Sequence, residues 1–358
     1  MKTGFMTSRE VRGARCEVRG AKGSPSALDD AASSIFSGSG SGGHTYRRVV
    51  ERLVRAGVES ALLDAACLME AASGIPRWRF ISGPERPVPH GASDLLESML
   101  SRREAREPVA YVLGVKEFWS LSLRVCPGVL IPRPETETLV EAVLDKIRSR
   151  FQAPSSASQF RVRDRSSRIF NLEPGTRNLE LHIVDLGTGC GAIALALAME
   201  IPHARIHALD RSAVALRIAR QNAEALGLTG RVHCLQGDLF EPLRTIQSWR
   251  GFDLIVSNPP YIASGALAAL PPEVAAYEPR EALDGGSDGL DYHRRIIEDA
   301  PGYLSAEGWL ALEVGDGQAP AVVGLFRRAE AFGPAEVKQD LAGRDRVVIA
   351  PRRARADG

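Results

Sequence analysis

The run Asn258-Pro259-Pro260-Tyr261 holds the residue types best suited to a demanding reaction. An amide or aryl-amine nitrogen is a poor nucleophile because its lone pair is delocalised. A site that uses one must hold both N–H groups and leave the lone pair facing an electrophile. The Asn258 side-chain oxygen can accept one N–H and the Pro259 carbonyl the other. Proline has no N–H and restricts the residue before it to extended backbone, so Pro259 and Pro260 keep these acceptors still. Tyr261 offers a ring to stack on a planar acceptor group. Holding the nitrogen ~3 Å from a methyl carbon then supplies much of the rate. No strong general base is required, since the nitrogen can lose its proton after transfer.

A second run, Asp185-Leu-Gly187-Thr188-Gly189-Cys190-Gly191-Ala192, follows a strand-like segment and opens a helical one. Its glycines allow a sharp turn and close approach to a ligand. Taken alone, it fits a nucleoside methyl donor, a plain tight turn, or a dinucleotide, since Gly187, Gly189 and Ala192 satisfy the spacing G-x-G-x-x-[GA]. Asp210, closing the next strand, can accept from both ribose hydroxyls or cap the helix that begins near Ser212. In Gln236-Gly-Asp238-Leu239, Asp238 can accept from an adenine amine and Leu239 can pack on the adenine face; the competing reading is a surface turn. The Asn258 motif decides among these in favour of S-adenosylmethionine. The expected donor contacts are Gly187, Thr188, Gly189, Cys190, Gly191, Asp210, Asp238, Leu239 and Asn258. Asn258, Pro259 and Tyr261 are the expected catalytic set, with Pro260 added on the acceptor side.

These motifs need a frame. From His182 onward strands alternate with helices: 183–185, 205–210, 231–236, 252–257 and 309–314 read as strands, with helices over 191–201, 212–227, 290–304 and 319–332 between or after them. Such alternation predicts an α/β fold with an open, mostly parallel sheet. The last two strands, 336–339 and 346–349, have a short link and should pair antiparallel.

Upstream, 44–114 reads as a small helical domain. Thr45 opens a helix with Val49, Val50, Leu53 and Val54 at helical spacing, and Gly57 ends it. Ser60 should cap a second helix through about Ala72, with Leu62, Leu63, Ala66 and Met69 on its buried face. A third helix spans about 93–103. In the segment 115–134, strands 116–124 and 129–131 read as a hairpin turning at Pro127-Gly128. A catalytic domain over 135–352 opens with a helix from Thr136 to about Arg150, and 353–358 is a tail. Residues 152–178 read as a solvated insertion loop; from Arg148 to Arg177 there are seven arginines against Asp164 and Glu173. Residues 1–43, with a tandem repeat and a Ser/Gly stretch, read as an unstructured extension.

Composition narrows the class. A formal net charge of +1 removes the simplest case for nucleic-acid binding. No apolar run approaches the ~20 residues of a membrane helix. Cys16, Cys67, Cys126, Cys190 and Cys234 show no CxxC spacing, which argues against a structural metal and for a reducing, cytoplasmic setting.

Several further runs carry a family resemblance. Arg106-Glu-Pro-Val-Ala-Tyr111-Val-Leu-Gly114 with Phe118, Ile131-Pro-Arg-Pro-Glu-Thr-Glu137, Tyr277-Glu-Pro-Arg280, Ala282-Leu283, Asp288-Gly-Leu290, Leu312-Glu-Val-Gly315 with Gln318, and Asp340-Leu-Ala-Gly-Arg344 join the Asn258 motif. From about Thr45 to Arg352 the chain resembles the HemK/PrmC family of N5-glutamine methyltransferases. Asn-Pro-Pro-Tyr alone is shared with adenine-N6 methyltransferases of nucleic acid, the competing function; the Ile131–Glu137 run is more specific. The resemblance implies a helical N-terminal domain, a hairpin linker and a seven-stranded, Rossmann-like methyltransferase domain. It also implies the glutamine of a Gly-Gly-Gln loop in class I peptide chain release factors as acceptor, with no membrane, metal or direct nucleic-acid partner. Leu239 departs from the pattern where some relatives carry an aromatic residue, and 1–43 and 152–178 are longer than the family usually carries.

Overall fold

The computed structural model describes residues 44–151, 180–245 and 251–353; the proposed extension 1–43 and insertion 152–178 lie outside the described residues. The chain forms two compact units, divided after Gly114.

The first unit contains α1 (Tyr46–Arg55), α2 (Ala61–Ser73), α3 (Trp78–Ser82), α4 (Ser93–Glu104) and α5 (Val109–Leu113). Thr45 caps α1, its hydroxyl accepting from the Arg48 N–H. Val49, Leu53, Leu68, Met69, Phe80, Leu96 and Leu100 form the core. The expected face of α2 is corrected: Leu62 and Leu63 are 65% and 58% exposed, while Ala61, Asp64, Ala65, Ala66, Leu68 and Met69 are buried. Small alanines permit close helix approach, and Asp64 tolerates burial because Arg103 donates to it at 2.8 Å and Ser60 donates from its hydroxyl.

The second unit begins with an antiparallel hairpin, β1 (Val115–Phe118) and β2 (Leu121–Arg124). Its turn is at Trp119-Ser120, so the expected strand 116–124 is two strands and Pro127-Gly128 is not the hairpin turn. Trp119 and Ser120 both have positive φ, 51° and 57°, the twist that suits a two-residue hairpin turn. Contacts that secure this unusual backbone include Trp119 N donating to Glu137 and its indole N–H to Glu200, each at 2.8 Å. No sheet strand is assigned at Val129–Ile131, although Val129 and Ile131 are buried.

After α6 (Glu137–Phe151) come β3 (Leu181–Leu186), α7 (Ala192–Glu200), β4 (Ala204–Asp210), α8 (Ala213–Ala225), β5 (Val232–Gln236) and β6 (Phe252–Ser257). Then follow α9 (Pro272–Tyr277), α10 (Asp291–Asp299), β7 (Leu304–Glu313), α11 (Ala319–Arg328), β8 (Glu336–Gln339) and β9 (Asp345–Pro351). The helix α9 lies where the sequence reading placed none, and α10 stops at Asp299 because Ala300–Gly302 tightens into a 3₁₀ turn at Pro301.

The seven-stranded sheet runs β5-β4-β3-β6-β7-β9-β8. β3 to β7 are mutually parallel, whereas β9 is antiparallel to both β7 and β8. Strand order leaves β3 in one direction toward β5 and leaves β6 in the other toward β7. Right-handed crossovers in opposite directions put helices on both faces, and sheets of this kind bind ligands beyond the carboxyl ends where the order reverses. Ser257 pairs with Leu186 in that register, and its hydroxyl donates to the Leu186 carbonyl at 2.7 Å. The glycine-rich run follows β3 and the Asn258 run follows β6, so both motifs leave adjacent strands at the same end of the sheet. Among the described residues no helix is long and apolar enough to cross a membrane.

Candidate active site

The glycine-rich loop folds back on the end of β4. Gly187 and Thr188 both donate their N–H to the Leu209 carbonyl, and Gly189 N–H donates to Asp210 Oδ2 at 2.9 Å. Gly187 and Gly189 have φ of +72° and +58°, and a Cβ at either position would meet nothing within 4 Å. The loop thus presents a bare backbone surface with open space above it. Beneath it, Asp185 is fully buried. Its Oδ2 accepts from the Thr188 hydroxyl at 2.6 Å and from Ala194 N–H at 3.2 Å, and Oδ1 takes no donor among the described residues. Burial pushes this carboxyl up to about 7 against the lowering effect of those hydrogen bonds. Cys190 is buried, its thiol pushed up to about 12 by desolvation, which leaves it unreactive.

Asp210 does two things at once. Oδ2 holds Gly189, and Oδ1 accepts from Ser212 N–H at 2.8 Å. The helix-cap reading is therefore correct in part, although Ser212 itself caps α8 by accepting from Ala215 N–H. A carboxylate has about four acceptor positions, so lone pairs remain for further donors. The Asp210 carbonyl accepts from Gly237 N–H, bringing the Asp238-Leu239 turn alongside. Asp238, however, is half exposed with its carboxylate paired to Arg295, so it is not free in this structure. Leu239 adopts a positive φ of 46° and packs on the core beside Phe240.

On the other side of the cleft, Asn258 Nδ2 donates to Thr136 Oγ1 at 3.1 Å. Neither Asn258 Oδ1 nor the Pro259 carbonyl accepts a hydrogen bond among the described residues, so both acceptors stay available. Tyr261 is held at two points. Its hydroxyl donates to Glu313 Oε1 at 3.4 Å, and its carbonyl accepts from Gln318 Nε2 at 2.9 Å. Burial raises the Tyr261 phenol to about 12, so the ring stays neutral. Gly289, at φ +78°, permits this close packing: a Cβ there would lie 2.3 Å from the Tyr261 carbonyl oxygen and 2.7 Å from Gln318 Nε2. Pro260 is packed from behind by Gly285.

Residues 44–114 match the family described as the PrmC N-terminal domain, and 161–270 match the methyltransferase small domain. The chain is 41% identical over 308 residues to a release factor glutamine methyltransferase of Geobacter sulfurreducens, covering 85% of this chain and 95% of that one. It is 41% identical over 304 residues to one of Moorella thermoacetica, covering 85% and 96%. This chain belongs to the release factor glutamine methyltransferases. A solved protein-(glutamine-N5) methyltransferase (release factor-specific) from Alicyclobacillus acidocaldarius is 27% identical, with a TM-score of 0.33 over 64% of this chain and 99% of that one. The methyltransferase domain implies use of S-adenosylmethionine, and the open glycine cradle suits such a ligand.

In this methyltransferase the segment Ile131–Glu137 acquires a structural meaning that its spacing did not reveal. Thr136 reaches Asn258, and Arg133 pairs at 2.5 Å with the buried carboxylate of Glu278, which also accepts from Ile131 N–H. The segment is therefore pinned to the first residue of the acceptor motif and to the chain that follows the motif. Thr136, Glu278 and Glu313 received no role from the sequence, although each lies in a run that carried the family resemblance. The signal available was an acidic residue inside an otherwise apolar strand, as in Leu312-Glu313-Val314.

Proposed function

We propose that this chain transfers the methyl group of S-adenosylmethionine to the side-chain amide nitrogen of the glutamine in the Gly-Gly-Gln motif of class I peptide chain release factors. The observation that carries this reading is the Asn258 side chain, whose nitrogen is tied to Thr136 while its oxygen and the neighbouring Pro259 carbonyl remain as acceptors. Two acceptors on a rigid frame match the two N–H groups of a primary amide. Tyr261, fixed by Glu313 and Gln318, would lay its ring over the amide plane.

When bound, S-adenosylmethionine supplies an electrophilic methyl on a sulfonium centre. Gly187, Thr188, Gly189, Cys190 and Gly191 would border its amino-acid portion, and Asp210 would accept from the ribose hydroxyls. Asp238 and Leu239 would flank the adenine, with Arg295 yielding the Asp238 carboxylate. Asn258 and Pro259 then hold the glutamine amide so that its nitrogen faces the methyl, which converts an encounter into a near-attack geometry. Water exclusion by the buried Pro259 and the Tyr261 ring strengthens both hydrogen bonds. The methylated nitrogen loses its proton afterwards, with no base in contact required.

The reading is tested by incubating the purified protein with labelled S-adenosylmethionine and a purified release factor. Label should enter the factor and fail to enter one whose Gly-Gly-Gln glutamine is replaced by glutamate. Label in duplex DNA instead would overturn the reading in favour of an adenine acceptor.

A further inference from the structure

The run Asp340-Leu-Ala-Gly-Arg344 carried part of the family resemblance, and neither the donor contacts nor the acceptor motif uses it. It forms the turn between β8 and β9, closed by the Gln339–Asp345 pair. Glu313, the last residue of β7, pairs with Val347, and Val314 N–H donates to the Arg346 carbonyl. The turn therefore leaves the sheet at the carboxyl ends of the parallel strands, the end where Asn258 follows β6. β9 stands two strands from β6 in the order β6-β7-β9. Neighbouring strands are ~4.8 Å apart, so the base of the turn lies on the order of 10 Å from the start of the acceptor motif.

The turn is built as a rigid projection. Asp340 N–H donates to the Arg344 carbonyl, and Gly343 N–H donates to the Asp340 carbonyl. Through Oδ1 the Asp340 carboxylate accepts from the main-chain N–H groups of Ala342 and Arg344, and through Oδ2 from the Arg346 guanidinium. Arg346 also donates to the Val314 carbonyl, which ties the turn to the strand end where Glu313 holds Tyr261. What this frame presents to solvent is apolar. Leu341 is 95% exposed, more than any other large hydrophobic side chain among the described residues. Arg344 is exposed beside it and pairs with no carboxylate among the described residues. An apolar side chain left wholly in water stabilises nothing in the free protein, and a polar residue would serve a plain surface turn as well. On a preordered turn it gains on contact with a partner without the ordering cost of a loose loop.

Asn258 and Pro259 can grip only the amide of an acceptor glutamine, so a protein substrate needs further holds around it. A specific interface covers about 800 Å² of each partner, a patch roughly 30 Å across. A patch of that width centred on Asn258 includes the Asp340–Arg344 turn. We propose that this turn is a docking knob for the protein that carries the acceptor glutamine. Leu341 seats in an apolar depression of that protein beside its Gly-Gly-Gln loop, and Arg344 meets a hydrogen-bond acceptor at the rim. The inference rests on the release-factor reading of the acceptor site.

The test uses the full chain, a purified release factor and S-adenosylmethionine. Leu341→Asp sets a charge against the apolar depression and should raise KM for the release factor roughly 10- to 50-fold. Leu341→Ala should raise it roughly 3- to 10-fold, and Leu341→Met should stay near the wild type. In all three, kcat at saturating release factor should stay within about twofold of the wild type, since a contact equal in ground and transition states acts on KM alone. Affinity for S-adenosylmethionine by calorimetry and the melting temperature should be unchanged, because the side chain packs against nothing. A photoreactive phenylalanine analogue in place of Leu341 should crosslink to the release factor within the domain that carries its Gly-Gly-Gln loop. Wild-type KM in Leu341→Asp, a loss confined to kcat or to donor affinity, or a crosslink to a second copy of this chain would overturn the inference. A wild-type protein inactive on the release factor would overturn the functional reading and this inference with it; an active wild type with unaffected variants overturns this inference alone.

Discussion

The two walls of the cleft are built differently. On the donor wall, the bonds that shape the glycine loop run between Asp185, Thr188, Gly189, Ala194, Leu209 and Asp210, all within one β3–α7–β4 unit. On the acceptor wall, the four-residue motif is fixed by partners far away in the chain: Thr136 is 122 residues before Asn258, and Glu313 and Gln318 are 52 and 57 residues after Tyr261. A local wall can be damaged one contact at a time. An assembled wall depends on the whole sheet holding β6 beside β7 and the Ile131–Glu137 segment against both.

The largest expected effect tests the acceptor wall. Asn258→Ala removes an acceptor aimed at the reacting amide and should lower kcat by ~10²–10³. Affinity for S-adenosylmethionine should change far less, because the Gly187–Gly191 loop and Asp210 are untouched. Steady-state kinetics beside calorimetry would separate the two, and near wild-type kcat would remove Asn258 from the mechanism.

Asp210→Ala should produce the reverse split. Loss of charged hydrogen bonds costs about 1.5–3 kcal/mol, roughly 10- to 150-fold in affinity for the donor. Unchanged affinity by titration would show that Asp210 serves only Gly189 and Ser212.

A matched pair of glycine replacements sharpens the contrast. At Gly187 a Cβ meets open space, so Gly187→Ala should leave the acceptor wall intact and weaken donor binding by filling the cradle. At Gly289 a Cβ collides with the Tyr261 carbonyl, so Gly289→Ala should displace Tyr261 and lower kcat with little change in donor affinity. Equal effects on both parameters in both variants would break the division into two walls.

The effect most remote from turnover is on stability. Asp185 and Glu313, one per wall, are both raised to about 7 by burial, whereas in the unfolded chain such carboxyls ionise near pH ~4. Between those values the folded protein holds more protons than the unfolded one. Stability without ligand should therefore decline as pH rises from ~4 to ~7 and level off above. Thermal melts across that window should show it, and Glu313→Gln should make the slope shallower.

Much of this was legible in the sequence because it is local. The strand 252–257 and the strand 336–339 agree with the alternation and spacing that predicted them, and the glycine and Asn258 runs lie at the strand ends that the α/β pattern required. What was misread depended on tertiary partners. Leu62 and Leu63 read as core, but Arg103 made it possible for Asp64 to turn inward in their place. The hairpin turn was assigned to Pro127-Gly128 because Trp119-Ser120 carries no glycine; Glu137 and Glu200, from two different helices, hold it. Thr136 and Glu313 were invisible as site residues for the same reason, since the meaning of Thr136 lies in Asn258 and that of Glu313 in Tyr261.

The most direct test of the central claim is to locate the methyl group. Release factor treated with the protein and S-adenosylmethionine is digested, and the Gly-Gly-Gln peptide is fragmented in a mass spectrometer. The account predicts a single added methyl on the glutamine residue, with fragment ions placing it on the side-chain amide. A methyl on any other residue, or an unmodified peptide from a reaction in which the donor has been consumed, would contradict it.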